Sequence, residues 1–128
     1  MMLLDTCVLL WLEADPSAIS PQAASAMLAA RQGLFASAIS AFEIGQKAAA
    51  GKLRLRRPLD EWFFAVLQRH SLRELPISGV IAAGATLLPR IHRDPFDRLL
   101  IATAQQHGLA LLTPDPTIAK YPNLKVIW

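Results

Sequence analysis

The chain has 128 residues, is 53% hydrophobic and carries a formal net charge of +3, with a mean hydropathy of +0.33. No apolar run approaches the ~18 residues of a membrane span; the longest, Val80 to Leu88, is broken by Gly84 and Thr86. A lone Cys7 excludes an intramolecular disulfide, and no basic segment precedes the first apolar residues. The expectation is a single domain over residues 1–128, cytoplasmic and without a membrane partner.

Met1 to Leu4 reads as a first strand, followed by Asp5, Thr6 and a helix from Cys7 to Glu13. Ser20-Pro21, an N-cap with proline at the first helical position, opens a helix that runs to about Arg31 and closes at Gly33. Leu34 to Ser37 is a second strand. Ser40 opens the next helix, ended by Gly51. The basic connection Lys52-Leu53-Arg54-Leu55-Arg56-Arg57 leads to a helix from Leu59 to His70, with Trp62, Phe63, Val66 and Leu67 on its apolar side. Leu72 to Ile77 is a third strand, and Ser78 to Leu88 an alanine-rich helix stopped by Pro89. Asp94-Pro95 opens the helix Phe96 to His107, closed by Gly108. Leu109 to Thr113 is a fourth strand, Asp115-Pro116 begins a short helical turn, and Lys125 to Trp128 is a last strand. Short, uniformly apolar strands alternating with helices predict an α/β fold, a three-layer α/β/α sandwich around a short, mostly parallel sheet.

Five acids stand at the junctions of these elements: Asp5, Glu43, Asp94, Asp97 and Asp115. Each has a role that needs no chemistry. Asp5 can cap the first helix, and Asp94, Asp97 and Asp115 fit cap or first-turn positions. Ser40 and Glu43 have capping-box spacing, and Glu43 with Lys47 forms an i,i+4 pair. Taken together, the acids read differently. An open parallel sheet gathers the carboxyl ends of its strands along one edge, where ligands bind. Asp5 follows the first strand, Asp115 the fourth, and Glu43 lies just past the second. The helix before the fourth strand runs antiparallel to the strands, so Asp97 reaches the same edge. Asp97 has Leu100, Ile101 and Ala104 as helical neighbours and is the better ligand candidate, with Asp94 the better cap. Crowded carboxylates raise one another's pKa, so the set asks for a hard cation, Mg²⁺ by default. His70, His92 and His107 lack zinc-ligand spacing and read as surface or capping residues. A phosphatase with Asp5 as nucleophile would want an acid where Cys7 stands. A phospho-receiver would want adjacent acids after the first strand and a Lys where Thr113 stands.

Four segments then resemble those of the PIN-domain ribonucleases, and within them the VapC-like toxins of bacterial toxin–antitoxin pairs. They are Met2 to Trp11, Ser37 to Ile44, His92 to Ala102 with its run His-Arg-Asp-Pro-Phe-Asp-Arg, and Leu111 to Asp115. The resemblance spans the chain. It implies a Mg²⁺-dependent endoribonuclease, with Mn²⁺ as substitute, that cleaves RNA and inhibits translation and growth. It further implies metal held by Asp5, Glu43 and Asp97 with Asp115 as a fourth acid, Thr6 and Thr113 as supporting hydroxyls, and Arg98 on an RNA phosphate or bracing Asp97 or Asp94. The partners it implies are RNA, a small VapB-like antitoxin and a second copy of the chain. Cys7 stands where many relatives carry His, Phe42 where they carry Trp, and Pro114 where a basic residue is common. The alternative is a catalytically silent PIN-type RNA-binding module. The Lys52 to Arg57 run either tracks an RNA backbone or is an ordinary solvated connection.

Overall fold

The computed structural model describes residues 1–30 and 32–128. Its central strand, β1 (Met2–Leu4), is buried throughout. It pairs in parallel with β2 (Leu34–Ser37) on one side and β4 (Ala110–Leu112) on the other. The edges are β3 (Arg73–Leu75), beside β2, and β5 (Val126–Ile127), beside β4. The order β3-β2-β1-β4-β5 is wholly parallel. The helices are α1 (Thr6–Ala14), α2 (Pro21–Ala29), α3 (Ala38–Ala49), α4 (Leu59–Arg69), α5 (Gly79–Leu87) and α6 (Pro95–His107).

Strand residues alternate between two cores because successive side chains leave a strand on opposite faces. Met2, Leu4, Leu34, Ala36 and Leu112 pack with Val8 and Leu9 of α1, Ala23 of α2 and Phe63 and Val66 of α4. Leu3, Phe35 and Leu111 pack with Leu100, Ile101 and Ala104 of α6. A further layer forms where Ile81 and Ala85 of α5 meet Ala102 of α6. Truncating a fully buried leucine such as Leu111 to alanine would cost about 2–5 kcal/mol.

Local chemistry fixes several helix ends. Ser20 accepts the Ala23 amide at 3.1 Å and Ser78 the Ile81 amide at 3.2 Å. Gly108 ends α6 with φ +64°, a left-handed position that glycine adopts without penalty. Three expectations are corrected. α3 leaves β2 without a loop and is capped by Ser37, which accepts the Ile39 amide at 3.1 Å. Ser40 is therefore buried inside the helix, and the Ser40–Glu43 capping box does not form. Gly33 closes no helix: it lies beside Met1, where a Cβ would meet Met1 Cγ at 2.9 Å and Met1 Cα at 3.2 Å, so the close approach of the segments leading into β1 and β2 favours glycine. β3 is shorter than expected and exposed at Arg73 and Glu74, as an edge strand can be, with the Arg73 guanidinium 4.5 Å above the Phe35 ring. The helix end expected near Arg31 lies outside the described residues. Among the described residues no helix is long and apolar enough to cross a membrane.

Candidate metal centre

Parallel pairing sets the carboxyl ends of β1 and β4 side by side, Leu4 against Leu112. The next residues along each chain, Asp5 and Thr113, meet there. Thr113 Oγ1 donates to Asp5 Oδ2 at 2.6 Å, and Asp5 is only 7% exposed. α3 brings Glu43 to the same edge, and α6 brings Asp97. A pocket of about 240 Å³ results, lined by Asp5, Glu43, Lys47, Asp94, Asp97 and Asp115 among others.

The pocket strains its carboxylates. Burial, with Asp5 and Asp94 adding repulsion, pushes Asp97 up to about 7. Burial also raises Asp5, and the hydrogen bond from Thr113 only partly offsets it. Asp115 is drawn the other way. Burial would raise it, but hydrogen bonds from His92 and the Thr117 amide outweigh that and hold it below the ordinary carboxylate range. Glu43 Oε2 lies 3.7 Å from Lys47 Nζ, whereas Glu43 Oε1 is buried with no hydrogen-bond partner. Cys7 also lines the pocket, where burial and nearby Asp5 push its thiol up to about 12. An orphaned buried carboxylate oxygen, two carboxyls forced toward protonation and an oxygen-only acidic set fit a hard divalent ion.

The other expected residues fall as follows. Asp94 caps α6, accepting the Phe96 amide at 2.9 Å. Asp115 closes its own turn on the Thr117 amide at 2.8 Å while its second oxygen faces the pocket. The Thr6 hydroxyl pairs with buried Ser40 at 2.8 Å, pinning the start of α1 to α3, and its backbone amide supports Asp5. Arg98 reaches neither Asp94 nor Asp97. Its guanidinium donates to the carbonyls of Ala85, Leu88, Pro89 and His92, satisfying the open end of α5.

His92 is the residue that the sequence reading left at the surface. Its Nε2 lies 3.0 Å from Asp97 Oδ2 and 2.9 Å from Asp115 Oδ2. The Asp94 amide donates to its Nδ1 at 3.2 Å, which places the ring proton on Nε2, facing both acids. The three groups offer ligand atoms within 4.8 Å of one another, yet in this tautomer the lone pair of His92 is already taken. In this arrangement the ring bridges two carboxylates. Two signals pointed to it: His92 opens the His-Arg-Asp-Pro-Phe-Asp-Arg run, and an imidazole two residues before a capping Asp-Pro can accept the free amide of the cap.

Fold and site together define a class: an open parallel α/β domain with an oxygen-rich acidic pocket at the carboxyl edge of its sheet. The PIN domain family profile matches residues 2–124, and the chain belongs to that family. It is 33% identical over 129 residues to Ribonuclease VapC22 of Mycobacterium tuberculosis, covering 98% of this chain and 97% of that protein. Solved structures share the fold. VapBC2 from Rickettsia felis, bound to a promoter DNA fragment, aligns with a TM-score of 0.71 at 14% identity, over 98% and 96% of the two chains. A toxin–antitoxin complex from Klebsiella pneumoniae aligns at 0.65 and 22%, over 97% and 95%.

Proposed function

We propose that the chain is a metal-dependent endoribonuclease, using Mg²⁺ with Mn²⁺ as substitute, and the toxin of a toxin–antitoxin pair that inhibits translation and growth. The observation that carries the reading is the convergence of Asp5, Glu43, Asp97 and Asp115 on one pocket in which Glu43 Oε1 has no partner. The relatives' names, a ribonuclease and toxin–antitoxin complexes, support the activity and the pairing.

Asp5, Asp97 and Glu43 would hold the ion, with Asp115 as the fourth acid. When bound, a divalent ion supplies Lewis-acid polarisation of the phosphoryl oxygen and charge compensation for the leaving oxygen. The chain's own residues prepare that site. Thr113 fixes the orientation of Asp5. His92 holds Asp97 and Asp115 on one nitrogen. Asp94 closes the start of α6, which leaves Asp97 to face the pocket.

The partner surfaces are apolar. A recess of about 450 Å³ lined by Leu12, Ile19, Met27, Leu28 and Leu34 supports docking of an antitoxin segment. Val80 and Leu87, exposed on the outer side of α5, support a second copy in a homodimer. The deciding assay is RNA cleavage by wild type and Asp5→Asn, with Mg²⁺ and with EDTA. The expected result is cleavage by wild type with Mg²⁺ alone; equal, metal-independent cleavage by both proteins refutes the reading. Co-expression with the antitoxin should relieve growth arrest.

A further inference from the structure

We propose that the recess lined by Thr86, Arg90, His92, Arg93 and Arg98 is a phosphate subsite, in which Arg90 and Arg93 hold an RNA phosphate flanking the one that is cleaved. The inference rests on the ribonuclease reading and names a substrate contact beside its centre.

The first observation is charge. The recess has a volume of about 530 Å³, and three guanidinium groups line it without a carboxylate. Arg90 and Arg93 are exposed, and among the described residues neither makes an ion pair. Their positive potential is therefore uncancelled, and it lies beside an acidic pocket that would otherwise repel a polyanion.

The second observation is rigidity. Both arginines sit on the 88–94 loop, whose backbone is pinned from inside. Arg98 donates to the carbonyls of Leu88 and Pro89 at 2.9 Å and of His92 at 3.3 Å. The His92 amide donates to the Tyr121 hydroxyl at 2.7 Å. Arg98 is thus committed to the scaffold and adds only charge, while Arg90 and Arg93 project from a prepared backbone. Preorganisation of this kind lowers the ordering cost of binding.

The third observation is position. His92 belongs to both sites: its Nε2 faces Asp97 and Asp115, and the residue also lines the recess. An anion in the recess lies one side chain away from the acids. The Lys52 to Arg57 run does not share this placement. Arg54, Arg56 and Arg57 line a different recess with Leu10, Glu13 and Trp62, toward the far end of α1 from Asp5 and with an acid among them. The nine residues of α1 span about 14 Å at ~1.5 Å per residue.

The test is binding of a fluorescein-labelled single-stranded oligoribonucleotide to Asp5→Asn protein with Mg²⁺, followed by anisotropy between about 50 and about 200 mM salt. Each phosphate contact contributes about 0.7 to the slope of log affinity against log salt for a single strand. Adding Arg90→Ala and Arg93→Ala should lower the slope by about 1.4, a difference of about 25-fold per tenfold change in salt. Arg90→Lys with Arg93→Lys should retain the slope, and unchanged unfolding midpoints should exclude a folding defect. An unchanged slope in the alanine variant overturns the subsite. A lowered slope in a protein whose wild type cleaves no RNA keeps the phosphate contact and overturns the ribonuclease reading instead.

Discussion

Asp5 and Ser20 begin helices with nearly the same backbone. Their φ and ψ are −64° and 153° at Asp5, and −61° and 152° at Ser20. Ser20 accepts the Ala23 amide of its own helix, whereas Asp5 makes no such capping bond into α1 and turns to Thr113 instead. A cap contributes about 1 kcal/mol. The start of α1 forgoes it and buries a carboxylate besides. α6 repeats the contrast within a single turn: Asp94 caps, and Asp97, three residues on, is pushed up to about 7 in the pocket. Backbone geometry permits either fate. What the side chain meets across the sheet decides which one it takes.

The comparison breaks most sharply at Asp5. Asp5→Asn should cut RNA cleavage at least 100-fold by ~10–100-fold outer-contact precedent extended to a ligand. Its unfolding midpoint without metal should not fall, because a carboxylate already disfavoured by burial is removed. A mere cap would leave cleavage intact, since Asn caps a helix as well as Asp does. Thr113→Val comes next. It leaves Asp5 in place without its 2.6 Å donor, and initial cleavage rates should drop about 10–100-fold; wild-type rates would show that this hydroxyl orients nothing of consequence.

A third effect is graded with pH. Folding raises Asp97 from 3.8 to about 7, so its protonated form is the one the native state favours. The stability it contributes is complete below about pH 4 and is lost as pH rises through about 7. Metal must displace that proton. Mn²⁺ affinity by calorimetry should therefore increase roughly tenfold per pH unit up to about 7 and then level off. A flat profile from about pH 5, inside that window, to about pH 8, one unit above it, would separate Asp97 from the ion. The smallest effect belongs to the true cap: Ser20→Ala should lower stability by about 1 kcal/mol in denaturant titration with cleavage unaltered.

Much of this molecule was legible in its sequence. The strands and the acids at their ends follow from hydrophobic runs bounded by Ser, Pro and Gly, whose effects act within a few residues. The Ser20-Pro21 start and the Gly108 stop are of this kind, and so is the cap at Asp94. The start of α3 differs from the expectation because Ser37 and Ser40 carry equal local signals, and only their partners in the fold separate them: Ser37 ends β2 and caps α3, while the Ser40 hydroxyl pairs with Thr6.

The sequence by itself determined a parallel α/β chain with carboxylates at one edge, because periodicity and capping are local physics. The tertiary structure decided what the uncapped carboxylates meet. The Thr113–Asp5 bond joins residues 108 apart, and His92 and Asp115 are 23 apart. No pattern of neighbours along the chain encodes such pairings. They exist because the sheet register sets strand ends side by side, and because buried charges must then find partners.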